Sequence, residues 1–391
     1  MSITMSNIGE ALKTVYLPTC RYQMNEEADE FVAELEKNDS NIEIKSAEIK
    51  FAFRYGKNGG VGNRADDGTL PTPNSRKTIQ ATLPTRNIFA RIQFTDKVMK
   101  ATKASVSSFV DVMTTEVEDA MADAKDSFAR QVHGNSAGKL ATCAGENSDT
   151  ATQTLDNVTY LAIGMVVDVM ASNGTVKYDA NEIIDIDYDN KNIVFAAVPG
   201  GTTLSTDYLV VTGSAGLELT GLGELFDNTQ TNIYGITRAS HLWANPIVKA
   251  ISGEIDELKM QEYIDITRRR TGTKVDFIIT DDGTARAYQY MQQVFKRNTE
   301  YMTLKGGYDV MSYNKIPITK SKYCEAGAMY MLSKEEFKVH RLDDWDWMSQ
   351  DGAVLSRVAN KAAYEATLSY YGDLGCYRPG GQVKLTGITA H

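Results

Sequence analysis

A long amphipathic pattern between Asp96 and Val132 constrains the fold of this chain more than any other feature. Its apolar residues recur at helical spacing, with no proline or glycine inside the segment. The pattern predicts one helix of roughly 55 Å, beginning at Thr95 or Asp96 and ending at Gly134. Because the helix carries a single apolar stripe, we expect a sheet to lie along it. A coiled coil is the alternative, although the spacing lacks a steady heptad.

Two strand patterns precede this helix and enclose a segment rich in glycine and proline. The rising limb, 47–56, alternates apolar and polar residues, and so does much of the falling limb, 77–94, in which Pro84 marks an edge. The tip between them, 57–75, is too rich in turn-forming residues to hold regular structure. Since an isolated two-stranded ribbon is marginal in water, the hairpin needs a packing partner from elsewhere.

A shorter helix is predicted near the N-terminus, over Glu26–Lys37, with Asn25 as its N-cap. Its apolar face consists of Ala28, Phe31, Val32 and Leu35. Too few apolar residues flank this helix to build a core around it. We therefore expect it to lie on another domain or another subunit.

The chain of 391 residues is long enough for two or three domains. In 140–227, short strand patterns, GLELTGL among them, alternate with turn signals, which favours an inserted antiparallel β-barrel or sandwich. From 228 onward, helices near 253–270 and 281–297 alternate with strands, which predicts an α+β domain with a mixed sheet.

Charge is unevenly distributed. Residues 1–49 sum to −6, residues 50–91 to +6 and residues 140–225 to −10. Acidic segments beside a basic one suggest surfaces that meet within one chain or between copies, although the blocks could simply keep solvated faces soluble. The acidic 140–225 segment would repel nucleic acid.

No catalytic, cofactor or metal site is predicted. Asp185, Asp187 and Asp189 resemble the start of a calcium loop, but Asn190 and Ala196 stand where glycine and glutamate are needed, which favours a hairpin turn. The four cysteines have no metal-ligand spacing, and we expect reduced thiols.

Further expectations are that Arg268–Arg270 complement a helix C-terminus, and that Trp345 and Trp347, near Tyr370 and Tyr371, serve sheet packing or a subunit contact. There is no transmembrane run and no secretory signal pattern.

The order of these elements resembles the Hong Kong 97 phage capsid family. The resemblance is most specific from GGVGNRADDGTLPTPNSRKTIQATLP through the long helix to FARQVHGN, residues 59–135, which look like the extended loop and spine helix of that family. The segments EFKVHRL and KAAYEATLSYYGDLGCYRPGGQVKLTGI look like its closing sheet. The resemblance thus implies an α+β, HK-97-like phage capsid fold with an inserted β domain.

The resemblance also implies boundaries for the parts of the chain. They are an N-terminal arm (1–46), an extended loop (47–94), a spine helix (95–139), an inserted β domain (140–227), an axial domain (228–335), a peripheral return (336–378) and a last axial strand (379–391).

The function that the resemblance implies is structural rather than enzymatic: a major capsid protein whose pentamers and hexamers build a phage head. Its implied partners are further copies of itself, a separate or cleaved scaffolding protein, a portal protein, decoration proteins and packaged double-stranded DNA, with no membrane and no cofactor. The implied location is the virion capsid, assembled in the host bacterial cytoplasm.

The resemblance places intersubunit contacts in the extended loop, and the candidate residues are its cations Arg54, Lys57, Arg64, Arg76 and Lys77. Some members of the family cross-link a loop lysine to a neighbour's asparagine. Lys57 and Lys77 lie in the corresponding loop, but no asparagine and glutamate match, so no cross-linking residues are assigned. The alternatives are an encapsulin-like nanocompartment shell and, in another class, an extracellular β-domain binding module.

Overall fold

The fold is described from a computed structural model over residues 29–37, 41–43, 48–72, 75–97, 106–148, 150–198, 200–294, 301–303, 309–349 and 354–391. The α-helices of these ranges are α1 (Glu30–Lys37), α2 (Val106–His133), α3 (Leu222–Phe226), α4 (Glu257–Thr271) and α5 (Asp282–Val294).

The strands of the first half of the chain are β1 (Asn41–Glu43), β2 (Glu48–Arg54), β3 (Thr78–Pro84), β4 (Arg86–Thr95), β5 (Lys139–Thr142), β6 (Asn147–Ser148), β7 (Thr152–Thr154), β8 (Val166–Met170), β9 (Val176–Asp187), β10 (Asn192–Phe195), β11 (Thr202–Thr203) and β12 (Tyr208–Val211). Those of the second half are β13 (Asn232–Ile233), β14 (Ile236–Thr237), β15 (Ile247–Gly253), β16 (Phe277–Thr280), β17 (Tyr301–Thr303), β18 (Asp309–Tyr313), β19 (Ile316–Lys320), β20 (Met329–Leu332), β21 (Phe337–Trp347), β22 (Ser356–Arg357), β23 (Ala363–Cys376) and β24 (Val383–Ile388).

The long helix α2 lies against a five-stranded sheet, as the amphipathic pattern predicts. β23 is the long strand of that sheet and pairs with β21, β22 and β4, and β1 joins β21. Phe128 of α2 packs edge-on against Tyr370, at 5.3 Å between ring centroids, and Trp345 stacks on Tyr370 at 5.0 Å. Trp345 and Trp347 therefore serve sheet packing, the first of the two roles expected for them.

The described part of α2 begins at Val106 and spans 28 residues, or about 42 Å at 1.5 Å per residue. Asp96 and Lys97 are also helical, while the predicted stretch between them and Val106 lies outside the described residues. Gly134 ends the helix without a left-handed φ. The steric constraint lies opposite it, because a Cβ on Gly221 or Gly223 would lie 2.6 or 2.7 Å from the carbonyl oxygen of Gly134.

The falling limb of the predicted hairpin divides at Thr85. β3 pairs with β2 in register from Glu48↔Pro84 to Arg54↔Thr78. β4, in contrast, leaves the hairpin and pairs with β23. The sequence pattern could not separate them, because both strands alternate with the same period and only Pro84, which has no N–H to donate, marks the break.

The segments predicted as the axial domain and its last strand contain a mixed seven-stranded sheet (the axial sheet) in the order β15-β24-β20-β16-β19-β18-β17. The pairs β15–β24 and β16–β19 are parallel, and the remaining pairs are antiparallel. α4 is capped by Asp256, whose side chain accepts a hydrogen bond from Leu258 N. It ends at Gly272 in the left-handed conformation, with Arg268–Arg270 in its last turn, as predicted.

The β-rich segment forms an antiparallel sheet in the order β5-β12-β8-β9-β10-β7. A bridge between Cys143 and Leu155 joins the two outer strands, so the sheet closes on itself. It has its own apolar core, which includes Val167, Ile183 and Phe195. The GLELTGL prediction is wrong: this stretch is a turn leading into α3, because Leu219 and Leu222 pack into the main core and not into the barrel.

Candidate intersubunit interface

The root of the extended loop is built into the chain itself. Ile49, Phe51 and Phe53 of β2 are buried. Phe51 packs against Tyr234 at 5.6 Å and against Tyr377 at 4.9 Å between ring centroids. The packing partner that the hairpin needs is therefore supplied, for its strands, by later parts of the same chain.

Tyr234 fixes the falling limb at this root. Its carbonyl accepts a hydrogen bond from Thr82 N at 2.9 Å, and its hydroxyl accepts one from Cys376 N at 3.1 Å. Its φ of +49° lies in the left-handed region, which is uncommon for a bulky residue and is held here by the turn between β13 and β14.

His340 is buried beside the same strand without a hydrogen-bond partner on either ring nitrogen, among the groups that the structure describes. Its ring stacks on Phe51 at 6.1 Å and on Tyr377 at 5.9 Å. Burial, together with the charge of Lys338, lowers the pKa of His340 to about 4. The root is thus an apolar cluster around a neutral imidazole.

Beyond Arg54 the loop projects into solvent. Leu70 and Val61 are 82% and 84% exposed. The tip is nevertheless ordered by a turn in which Gly68 N donates to Ala65 O at 2.9 Å. Across this turn the Arg64 guanidinium donates to Thr69 O at 3.0 Å.

All five cations predicted as contacts are exposed, and none forms an ion pair with a group in the described ranges. Arg54 lies at the root, Lys57 follows it, and Arg76 and Lys77 lie on the returning limb. Arg64 differs because its guanidinium bonds within the loop. The structure brings the two ends of the loop together, since Lys77 O accepts hydrogen bonds from Tyr55 N and Gly56 N.

Sequence reasoning missed the surface that faces this root. It includes Trp243, whose indole stacks on Tyr55 at 5.0 Å, and Arg378, whose Nε lies 3.3 Å from Glu336 Oε1. These side chains are about 190 or more positions away from the loop, and nothing in their local sequence marks them as its neighbours.

The N-terminal helix α1 packs on its own chain, at the junction of the long helix with the axial sheet. Phe31 contacts Phe277 at 5.8 Å and Phe337 at 5.7 Å between ring centroids. The N-cap is Asp29 and not the predicted Asn25, because Asp29 Oδ1 accepts from Phe31 N at 3.0 Å. Asn25 and Ala28 lie outside the described residues.

Asp29 also joins a buried polar cluster. Its Oδ1 lies 3.5 Å from His133 Nε2, and the same nitrogen lies 3.3 Å from Ser321 Oγ. Burial would raise the pKa of Asp29, but His133 and the hydrogen bonds from Ser321 and Phe31 hold it below its ordinary value. A Ser-His-Asp relay needs both ring nitrogens, so this cluster anchors α1 rather than performing chemistry.

The β-barrel is tied to the rest of the chain by buried polar contacts. Arg130 of α2 forms a bidentate pair with Glu218, at 2.9 and 2.5 Å. Asp373 of β23 accepts from Thr220 N at 2.7 Å and from Thr220 Oγ1 at 2.9 Å. Burial raises the pKa of Asp373 to about 7, although these hydrogen bonds oppose the shift. Tyr160 OH donates to Tyr323 O at 2.9 Å.

The acidic turn of the barrel is a hairpin connection, as predicted. Asp187 accepts hydrogen bonds from Asp189 N and Asn190 N, at 3.1 and 3.0 Å, and from the Asn190 side chain.

Among the described residues no group of three or more His, Cys, Asp or Glu side chains could hold a metal ion, and no helix there is long and apolar enough to cross a bilayer. Cys143, Cys324 and Cys376 are buried free thiols.

The architecture defines a class: the chain has the HK-97-like fold of phage capsid proteins. Its structure is similar to the capsid asymmetric unit of cyanophage A-1(L), with a TM-score of 0.55, 14% identity, and coverage of 90% of this chain and 91% of that one. No protein-family model and no curated protein matches the sequence.

Two further solved structures are less similar. The capsid of a native GTA particle matches with a TM-score of 0.46 at 9% identity, covering 91% of this chain and 90% of that one. The SrpI encapsulin of Synechococcus elongatus PCC 7942 matches with a TM-score of 0.29 at 12% identity, covering 41% of this chain and 59% of that one.

Proposed function

We propose that this chain is the major capsid protein of a tailed phage, a structural subunit that assembles into the pentamers and hexamers of an icosahedral head. The observation that carries the proposal is the shared fold over 90% of the chain with a phage capsid subunit. The projecting loop supports it, because Val61 and Leu70 on this loop are the two most exposed large apolar side chains among the described residues.

The loop cations would serve intersubunit contacts. Arg54, Lys57, Arg76 and Lys77 are exposed and form no ion pair within the part of the chain that the structure describes. Their charge is therefore available to an acidic neighbour. Arg64, the fifth of these cations, also holds the shape of the tip. A single exposed pair contributes about 0–1 kcal/mol, but shell symmetry repeats each pair many times.

The partners of such a subunit are further copies of the chain, a scaffolding protein, a portal protein, decoration proteins and packaged double-stranded DNA. The subunit would be located in the virion capsid after assembly in the bacterial cytoplasm. The acidic barrel fits an outward or intercapsomer position, because its charge would repel DNA phosphates.

Electron microscopy and light scattering of the full chain, expressed with its flanking genes, test the proposal. We expect closed shells. A strictly monomeric, compact particle would contradict it, and shells that enclose a co-encoded cargo enzyme would favour a nanocompartment.

The loop contacts are tested by the double reversal Arg76→Glu/Lys77→Glu, which spares Arg64. We expect a lower yield of shells with an unchanged far-UV circular dichroism spectrum. The control is Lys249→Glu/Lys361→Glu, which changes the net charge equally at two exposed positions away from the loop. Equal shell yields from both variants would show that loop charge is unimportant.

A further inference from the structure

A groove of about 560 Å³ lies at the root of the extended loop. Its lining includes Ala52, Arg54, Tyr55, Trp243, Arg270 and Arg378. The Tyr55 and Trp243 rings are almost parallel at 5.0 Å, and Phe53 meets Trp243 edge-on at 5.8 Å. One side of the groove is therefore an ordered aromatic wall.

The groove is also cationic. Arg54, Arg270 and Arg378 line it against one acid, Glu336, which already lies 3.3 Å from Arg378. Arg270 donates to Leu242 O at 2.7 Å, which fixes its guanidinium beside the wall. The indole nitrogen of Trp243 is buried and has no acceptor among the described groups. A suitable occupant would bring negative charge, a hydrogen-bond acceptor and an apolar side chain.

The tip of the loop offers that combination. Asp66 and Asp67 are the central residues of the turn that Gly68 N closes onto Ala65 O, and both are exposed. Leu70, 82% exposed, follows directly and precedes Pro71. Because the Arg64–Thr69 hydrogen bond already fixes this turn, binding would cost little conformational entropy. None of these tip residues lines the groove of its own chain.

We propose that the tip segment Asp66–Pro71 of one copy docks in the root groove of a neighbouring copy. Leu70 packs on the Tyr55–Trp243 wall, and the two aspartates face Arg54 and Arg270. The contact is head-to-tail, so repeating it around an axis closes a ring, as a pentamer or hexamer requires. The inference rests on the proposed capsid function and names the receptor surface for the loop.

Disulfide trapping in assembled particles tests the contact. Leu70→Cys on the tip and Ala52→Cys in the groove would face each other across the interface, where a disulfide needs Cα atoms about 4.4–6.8 Å apart. Under oxidation we expect a ladder of covalent oligomers that ends at a closed ring and disappears with reductant. Leu70→Cys alone controls for the native cysteines.

The matched control is Leu70→Cys/Asn190→Cys, which moves the second thiol to an exposed turn of the barrel. A ladder from this pair and not from Ala52→Cys would place the tip on the neighbour's barrel and overturn the proposal. Normal shells without a ladder would also overturn it while leaving the capsid function intact. Absence of shells from the unmodified chain would instead contradict the capsid function.

A charge exchange keeps the test decisive if the cysteine variants fail to assemble. Asp66→Lys/Asp67→Lys should lower the shell yield at least tenfold, and adding Arg54→Glu should restore part of it. The same aspartate variant with Lys249→Glu, an exposed cation that is absent from the lining of the groove, should not recover. Equal recovery of the shell yield with Arg54→Glu and with Lys249→Glu would overturn the proposal. A normal shell yield from Asp66→Lys/Asp67→Lys alone would also overturn it.

Discussion

His340 shows how one residue makes the loop root sensitive to acid. Its imidazole is neutral and packs against the rings of both Phe51 and Tyr377, in a site that supplies no described partner for a charged ring. Protonation therefore works against the packing that holds β2 to the rest of the chain.

The stability that neutral His340 contributes should fall as the pH drops from about 6.5 to about 4. The pKa of His340 is lowered from 6.5 to about 4 in the folded chain, so the unfolded chain binds the proton first. The contribution of His340 to the free energy of unfolding is complete above pH 6.5. It declines as the pH falls from 6.5 to about 4 and is constant below about pH 4. Urea unfolding gives the free energy of unfolding at pH 7 and at pH 5. Between these pH values His340→Leu should lose less stability than the unmodified chain. An equal change in the free energy of unfolding in the two proteins would contradict the assignment of this acid sensitivity to His340.

Gly221 should not tolerate a side chain. A Cβ there would lie 2.4 Å from Gln131 O and 2.6 Å from Val132 O and Gly134 O, all backbone atoms at the end of α2. We expect Gly221→Ala to cost about 1–3 kcal/mol or more. Gly145→Ala is the control, because a Cβ at that position meets nothing within 4 Å. The measurement is the thermal unfolding midpoint, and similar midpoints would contradict the prediction.

At the scale of elements, contacts with α2 hold the main parts of the chain together. The long helix packs on the five-stranded sheet through Phe128, receives α1 near His133 and meets the barrel's return segment through Arg130 and Glu218. Three parts of the chain are thus fixed to the last turns of one helix.

Breaking the Arg130–Glu218 pair should be costly, because both side chains are less than 10% exposed. Glu218→Ala leaves a buried guanidinium unpaired, and we expect a loss of about 3–5 kcal/mol. The double variant Arg130→Met/Glu218→Leu should lose less than the sum of the single variants. The surface pair Arg268–Asp265, at 3.6 Å, is the control and should contribute less than about 1 kcal/mol. Additive losses in a double-mutant cycle would contradict a direct coupling.

At the scale of the whole molecule, the apolar residues that the structure describes form three cores. The largest joins the loop root, α1, α2 and the five-stranded sheet. The second fills the other face of the axial sheet, and the third lies inside the barrel. β16 connects the first two, since Phe277 and Ile279 belong to one core and Ile278 to the other.

The barrel should fold as an isolated fragment. Residues 137–214 contain its closed sheet and its own core, whereas α3 packs into the main core and is left out. We expect β-type circular dichroism and a cooperative thermal transition. A fragment that stays disordered would show that the barrel depends on contacts such as Tyr160–Tyr323.

The sequence by itself determined those features whose signal is local. The apolar stripe of α2 is visible at Val117, Met121 and Phe128, and the acidic turn after β9 follows from Asx chemistry. The mixed axial sheet, the antiparallel pairing of the β insertion and the exposed loop also follow from periodicity and turn residues, because these act within a few positions of one another. The choice between barrel and sandwich did not, since the closing bridge joins Cys143 to Leu155 across the sheet.

Tertiary structure alone decided where the elements meet. Alternation in 77–94 is the same in β3 and β4, so only long-range pairing could assign them to different sheets. The loop root takes its aromatic partners from Tyr234, Trp243 and Tyr377, which no local pattern connects to β2. The reason is physical: a strand's period specifies which face is buried, but not which distant surface buries it.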